Sequence, residues 1–205
     1  MIQRLVLGQL DTNCWIVSDD AAGPAIVIDP ADEPDLILEA LQGRKASCVV
    51  LTHCHFDHLA GAEQVLRATG ASLVAHEDDA DFVTDAIGTG GALFGFDAVA
   101  PPVNRRLRAG NSVTAGAVSF RVLHTPGHTP GGICLLGHGH LFSGDTLFAG
   151  SVGRTDFPRG DSRALAMSIA TQLATLADET VVHPGHGPET TIGRERQMNP
   201  FFPRA

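Results

Sequence analysis

Cysteine is scarce and scattered. Cys14, Cys48, Cys54 and Cys134 stand far apart with no Cys-x-x-Cys pair, which excludes a disulfide scaffold and the ligand spacing of a zinc finger. Lysine is scarcer still: Lys45 is the only one among 14 basic residues, a coding bias rather than a functional signal. Only Arg105, Arg106 and Arg108 cluster, and they read as a solvated loop or strand start. With a net charge of −9 the chain has no basic face for nucleic acid. Long apolar runs are missing too, so no segment is expected to span or bind a membrane, and residues 1–10 lack the apolar core of a signal peptide. A reducing cytoplasm is the expected location. Tyrosine is absent altogether.

What remains is the composition of a folded protein, 43% hydrophobic and 18% charged over 205 residues, enough for one sizeable core. One domain over 1–205 is expected, with a short C-terminal tail from about 191. Short apolar runs bounded by turn residues predict strands over 3–7, 14–18, 25–28, 47–51 and 72–75. Helical spacing predicts helices over 32–42, 59–69 and 77–87. After a Gly- and Pro-rich loop over 88–102 come strands over 112–115, 117–123, 132–136 and 140–143, a helix over 161–176 and a strand over 180–183. Two β/α halves in this order suggest stacked sheets with helices outside, a four-layer αββα sandwich of the α/β (α+β) class.

Three features carry chemistry. The first is the run His53-Cys54-His55-Phe56-Asp57-His58 directly after an apolar strand. Alternation puts His53 and His55 on one side of extended chain, turns Cys54 away, and leaves Asp57 and His58 to reach a second point. Imidazole and carboxylate suit zinc, iron or manganese, and a merely solvated loop does not explain three histidines beside an apolar strand. The second is His124-Thr125-Pro126-Gly127-His128-Thr129-Pro130-Gly131-Gly132, a stiff loop presenting His124 or His128. The third pairs Ser143-Gly144-Asp145-Thr146 with His183-Pro184-Gly185-His186-Gly187, each ending an apolar strand on a carboxylate or an imidazole. Asp29, in Ile28-Asp29-Pro30, reads either as a turn aspartate or as a group orienting the ligand loop. His76, His138, His140 and His183 read as structural.

His-x-His-x-Asp-His, Pro-Gly-His-Thr-Pro-Gly, Ser-Gly-Asp and Pro-Gly-His-Gly, in that order over nearly the whole chain, resemble the metallo-β-lactamase superfamily. The stretch 152–160 and the closing Gly193-Arg194-Glu195-Arg196-x-x-Asn199-Pro200-Phe201 resemble its short bacterial glyoxalase II-like members. The resemblance implies the metallo-β-lactamase fold and two divalent metal ions, zinc first with iron or manganese compatible. It assigns His53, His55 and His128 to one metal and Asp57, His58 and His186 to the other, with Asp145 bridging. His124 is then expected to pack at its strand end. Asp57 and Asp145 are the expected catalytic carboxylates, Asp57 orienting the attacking water or taking its proton.

The implied activity is that of a thioesterase acting on S-acyl-glutathione-type substrates through a metal-bound hydroxide. Arg154 falls where such enzymes carry a basic residue for the glutathione moiety, although it could equally pair with Asp156 or Asp161. The missing tyrosines, and a chain that ends soon after Pro200, depart from the longer glyoxalase II enzymes and leave the thiol and acyl groups open. The stretch Gly153-Arg154-Thr155-Asp156-Phe157 also resembles persulfide dioxygenases of the same superfamily, in which His53, His128 and Asp145 would hold one iron. A non-catalytic metal-binding domain is a third reading, and lactone or β-lactam hydrolysis fits the same chemistry as a side activity.

Overall fold

Two six-stranded sheets stacked face to face form the centre of the molecule in a computed structural model that describes residues 1–203. The first sheet contains β1 (Ile2–Leu7), β2 (Thr12–Ser18), β3 (Ala25–Ile28), β4 (Ala46–Val50), β5 (Ser72–His76) and β6 (Arg105–Leu107), in that spatial order. It begins antiparallel and runs parallel from β3 onward. The second sheet has β7 (Ser112–Ala115), β8 (Val118–His124), β9 (Ile133–Gly137) and β10 (His140–Gly144) in succession, then β13 (Val181–Pro184) and β14 (Thr190–Thr191). A two-stranded ribbon, β11 (Leu147–Phe148) with β12 (Ser151–Val152), leaves the end of β10.

The inner strands read as short, nearly continuous apolar runs because each sheet is buried on both faces. Ile26 and Ile28 of β3 and Val50 of β4 meet Phe120, Val122, Ile133 and Phe142 between the sheets. Ala25, Val27 and Val49 point the other way, onto α1 (Pro34–Leu41) and α2 (Ala62–Thr69). On the far side Leu123, Cys134 and Leu141 pack with Leu165, Ile169 and Ile192, from α3 (Ser162–Ser168), the π-helical turn after it, and α4 (Ile192–Met198). The result is the expected αββα sandwich, and no helix of the described residues is long and apolar enough to cross a membrane.

Several element boundaries differ from the sequence reading. Pro34 starts α1 because a proline needs no helical N–H partner in the first turn. Asp161 caps α3 by accepting from the amides of Arg163 and Ala164, and the helix then widens into the π turn Ile169–Leu173. The expected tail from about 191 is instead helix α4, capped by Thr191, with Ile192 and Phe202 buried against the second sheet.

The helix expected over 77–87 does not form. Consecutive turns replace it, in which the amides of Asp79 and Ala80 both donate to the His76 carbonyl. The side chain of Asp79 is the reason: fully buried, it accepts from the Cys54 amide (3.0 Å), the Thr129 hydroxyl (2.7 Å) and the Gly131 amide (2.7 Å). Three tertiary hydrogen bonds to a charged acceptor outweigh a weak helical preference.

Phe142 lies fully buried between the sheets, against Trp15 and Phe120. Phe142→Ala is expected to cost about 3–5 kcal/mol, read as a lowered midpoint in urea denaturation with little change in slope.

Candidate metal centre

Five strands end at one edge of the sandwich, and each delivers part of the site. β4 runs into the loop carrying His53 and His55, then the 3-10 turn Phe56–His58. β8 leads to His128, β10 to Asp145, β13 to His186, and β3 ends on Asp29. The sheets are bonded to each other here, because the Ile133 amide donates to the Thr52 carbonyl (2.9 Å). Gly144 makes this approach possible: at φ +47, a Cβ on it would lie 2.4 Å from Thr52 Oγ1. A Cβ on Gly185 would lie 2.2 Å from Asp145 Oδ1.

All seven residues expected as ligands converge. His55 Nδ1 lies 2.8 Å from His128 Nε2, and His53 joins them in one cluster of potential ligand atoms. Asp57, His58 and His186 form another, with His58 Nε2 3.3 Å from His186 Nε2 and Asp57 Oδ2 3.2 Å from His186 Nε2. Asp145 stands between the clusters. Its Oδ1 is 3.4 Å from His58 Nε2, and its Oδ2 is 3.5 Å from His128 Nε2 and 3.6 Å from His186 Nε2.

Outer hydrogen bonds fix the imidazole tautomers. Carbonyl and carboxylate oxygens only accept, so His128 Nδ1–H donates to the Arg154 carbonyl (2.6 Å) and His186 Nδ1–H to the Leu10 carbonyl (3.1 Å). His58 Nδ1–H donates to Asp29 Oδ2 (2.9 Å). The Thr52 hydroxyl donates to the same carboxylate (2.7 Å), so its oxygen is left to accept from His53 Nδ1–H (3.0 Å). In all four rings Nε2 is the nitrogen turned inward, and in the neutral ring it is a bare lone pair, the form that binds metal.

The residues therefore fit divalent cations. His53 Nε2 and Asp145 Oδ1 are buried with no hydrogen-bond partner among the described residues, an arrangement that costs about 1–3 kcal/mol per group unless another ligand satisfies it. Burial, followed by the neighbouring imidazoles, pushes His53 well below its ordinary pKa and His55 down to about 3. Burial acts the same way on His58, but Asp57, Asp145 and Asp29 outweigh it and raise the group well above 6.5. Burial would raise Asp145, yet the neighbouring His58 charge holds it well below the carboxylate range.

Other predicted positions fall outside this constellation. His124 donates from Nε2 to the Pro130 carbonyl (2.9 Å) and stacks on His76. The Cys54 thiol is buried against the Gly88 carbonyl, away from the cluster. Arg154 lines the cavity over the site, but its guanidinium grips Asp156 with two bonds (2.6 and 2.7 Å) and lies 3.9 Å over the Phe157 ring. Two further residues carry no signal in the sequence: Asp79, one acid within an acidic run, ties the His53–His58 loop to the His128 loop, and Arg159 lines the same cavity while resting on Phe82 and donating to the Gly88 carbonyl.

The geometry is that of His and Asp clusters able to hold divalent metal ions, and the chain's family agrees with it. The metallo-beta-lactamase superfamily model matches residues 7–186, and the chain belongs to that superfamily, whose members bind divalent metals through clusters of this His/Asp kind and are mostly hydrolytic enzymes. Among its relatives, the hydroxyacylglutathione hydrolase GloC of Haemophilus influenzae is 35% identical over 207 residues, covering 98% of this chain and 97% of its own. Of solved structures, the B3 metallo-beta-lactamase BLEG-1 gives a TM-score of 0.93 at 33% identity, over 98% of this chain and 99% of that one. The di-iron-bound form of TTHA1623 gives 0.86 at 37% identity, over 98% and 100%.

Two outcomes are expected. Asp29→Ala, which frees both Thr52 and His58, lowers divalent-metal affinity by about 10–100-fold, measured by competition with a chromophoric chelator. Metal affinity also rises with pH. His58 and His186 are raised, so below their shifted values each holds a proton that a cation must displace. The apparent Kd should fall from pH 6.5 upward by as much as about tenfold per pH unit for each proton released, then level off.

Proposed function

We propose that this protein hydrolyses thioesters, with S-acyl-glutathione esters as the leading class. The observation that carries this reading is the Asp145 carboxylate set between two histidine clusters in the wall of a cavity of about 450 Å³. Two bound divalent cations would polarise a thioester carbonyl and lower the pKa of a coordinated water from 15.7 to about 7. His53, His55 and His128 are the proposed ligands of one, Asp57, His58 and His186 of the other, and Asp145 is shared.

The protein's own groups do the positioning. Asp57 takes a hydrogen bond from the Thr12 hydroxyl at Oδ2 (3.2 Å). Its burial favours the neutral acid, but His58 and His186 hold it lower, as a carboxylate. It is thus able to orient a water molecule beside the carbonyl. The Leu10 and Arg154 carbonyls keep His186 and His128 from turning, so the reacting atoms meet a fixed surface. The name of the Haemophilus relative supports glutathione as the thiol. We assign Arg154 to the substrate carboxylate only if it exchanges Asp156 for it.

The competing reading uses one iron held by His53, His128 and Asp145 in a persulfide dioxygenase. The close assembly of Asp57, His58 and His186 beside that triad favours the two-metal hydrolase instead. Protein purified without chelator is expected to hold about two divalent ions per chain and to cleave lactoyl- or acetyl-glutathione. His55→Ala and Asp145→Asn should each lower kcat/KM by at least about 100-fold, a loss typical of removing a group that stabilises the transition state. One iron per chain with rapid oxygen uptake on glutathione persulfide, or full turnover by both variants, would falsify this function.

A further inference from the structure

The wall of the cavity differs in chemistry from its floor. Beside His55 the Phe157 ring lies edge-on at 5.5 Å, Phe94 follows at 5.6 Å from Phe157, and Phe56 links Phe94 (5.8 Å) to Phe96 (4.9 Å). Ile87 and Leu93 continue the lining to the mouth, where they are 84% and 62% exposed, and Phe94 is 51% exposed. Contiguous apolar surface that stays in water beside a polar site marks a place where a ligand's apolar part is bound.

Arg154 is paired with a carboxylate and Arg159 is held against the protein, its Nη1 buried with no hydrogen-bond partner among the described residues. Asp156 takes both of Arg154's forked bonds, while Arg159 lies flat on Phe82 and donates to the Gly88 carbonyl. The surface that an incoming group meets next to His55 is therefore aromatic and aliphatic. Glutathione carries two carboxylates and an ammonium, and Phe157, Phe94, Leu93 and Ile87 offer them no hydrogen-bonding side chain. A small hydroxylated acyl group would leave most of the wall uncovered.

We infer that the acyl group of the preferred substrate is apolar, a medium-length alkyl or an aryl chain lying along Phe157, Phe94 and Leu93. The inference rests on the thioesterase reading for the position of the carbonyl. Each buried methylene is worth a factor of about three to four in binding, so a chain of several carbons gains far more from this wall than an acetyl or lactoyl group.

The test uses the metal-loaded protein with acetyl, lactoyl, butanoyl, hexanoyl and phenylacetyl thioesters, each made on glutathione and on the neutral thiol N-acetylcysteamine. On both thiols kcat/KM is expected to rise at least about tenfold from acetyl to hexanoyl, with phenylacetyl at or above hexanoyl and lactoyl near acetyl. Leu93→Ser and Phe94→Ser, at exposed positions, should each flatten that slope. A flat acyl series, or a preference that follows the thiol and ignores the acyl chain, overturns the inference while leaving thioester hydrolysis intact. If no thioester is cleaved the function itself fails, and binding of the free carboxylates still decides the wall. Hexanoate and phenylacetate should bind at least about tenfold more tightly than acetate by calorimetry, and equal binding overturns the inference in that case as well.

Discussion

The carboxylate of Asp29 is the constraint on which the rest of the site depends. It sits at the end of β3 with φ +51, a left-handed conformation that aspartate tolerates better than most residues. From there one oxygen takes the Thr52 amide, and the other takes both the Thr52 hydroxyl and the His58 ring. Thr52 in turn orients His53, and its carbonyl bonds to Ile133 of the opposite sheet. One buried charge thus sets the aim of two imidazoles and the spacing of two sheets at the point where their strands end.

Asp79 does comparable work on the other side of the His53–His58 loop, and together the two aspartates explain why the inward-facing groups stay where they are. Nearly bare imidazole nitrogens facing Asp57 and Asp145 do not satisfy one another, since lone pairs repel and burial holds His53 and His55 below their ordinary pKa. A scaffold that holds such groups rigidly has met the cost of arranging them before any cation arrives. The gain is affinity, because the ligands lose little freedom on binding.

The fold was largely legible because both of its sheets are buried on both faces, and the short apolar runs of β3, β4 and β9 between turn residues stand out in plain sequence. The seven converging residues were legible for a related reason: each follows an apolar strand, and Gly or Pro stiffens the turn beside three of them. Asp79 was not, because an acid within Glu77–Asp81 looks solvated until the loops it bridges are brought together. Helix α4 was hidden by a short pattern whose buried side chains are Ile192 and the acid Glu195. Arg154 was misleading in another way, since its sequence position says nothing of whether Asp156 already fills its fork.

The apolar wall was the least visible part, and its origin shows why. Ile87, Leu93, Phe94 and Phe96 come from a Gly-rich segment with no periodicity to mark a buried face, and they gather only because that segment folds back onto Phe56. Gly91 permits the contact: a Cβ there would lie 2.7 Å from the Phe96 carbonyl oxygen and 3.2 Å from Phe56 Cβ. Phe56 belongs at the same time to the His53–His58 loop, so the residue between the two metal clusters also anchors the wall. The His and Asp clusters are set by strand ends that cannot move without separating the sheets. The apolar lining is set by a loop that can change its side chains without disturbing them. A change of substrate within this architecture is therefore expected to be written in the loop, with the polar floor left as it is.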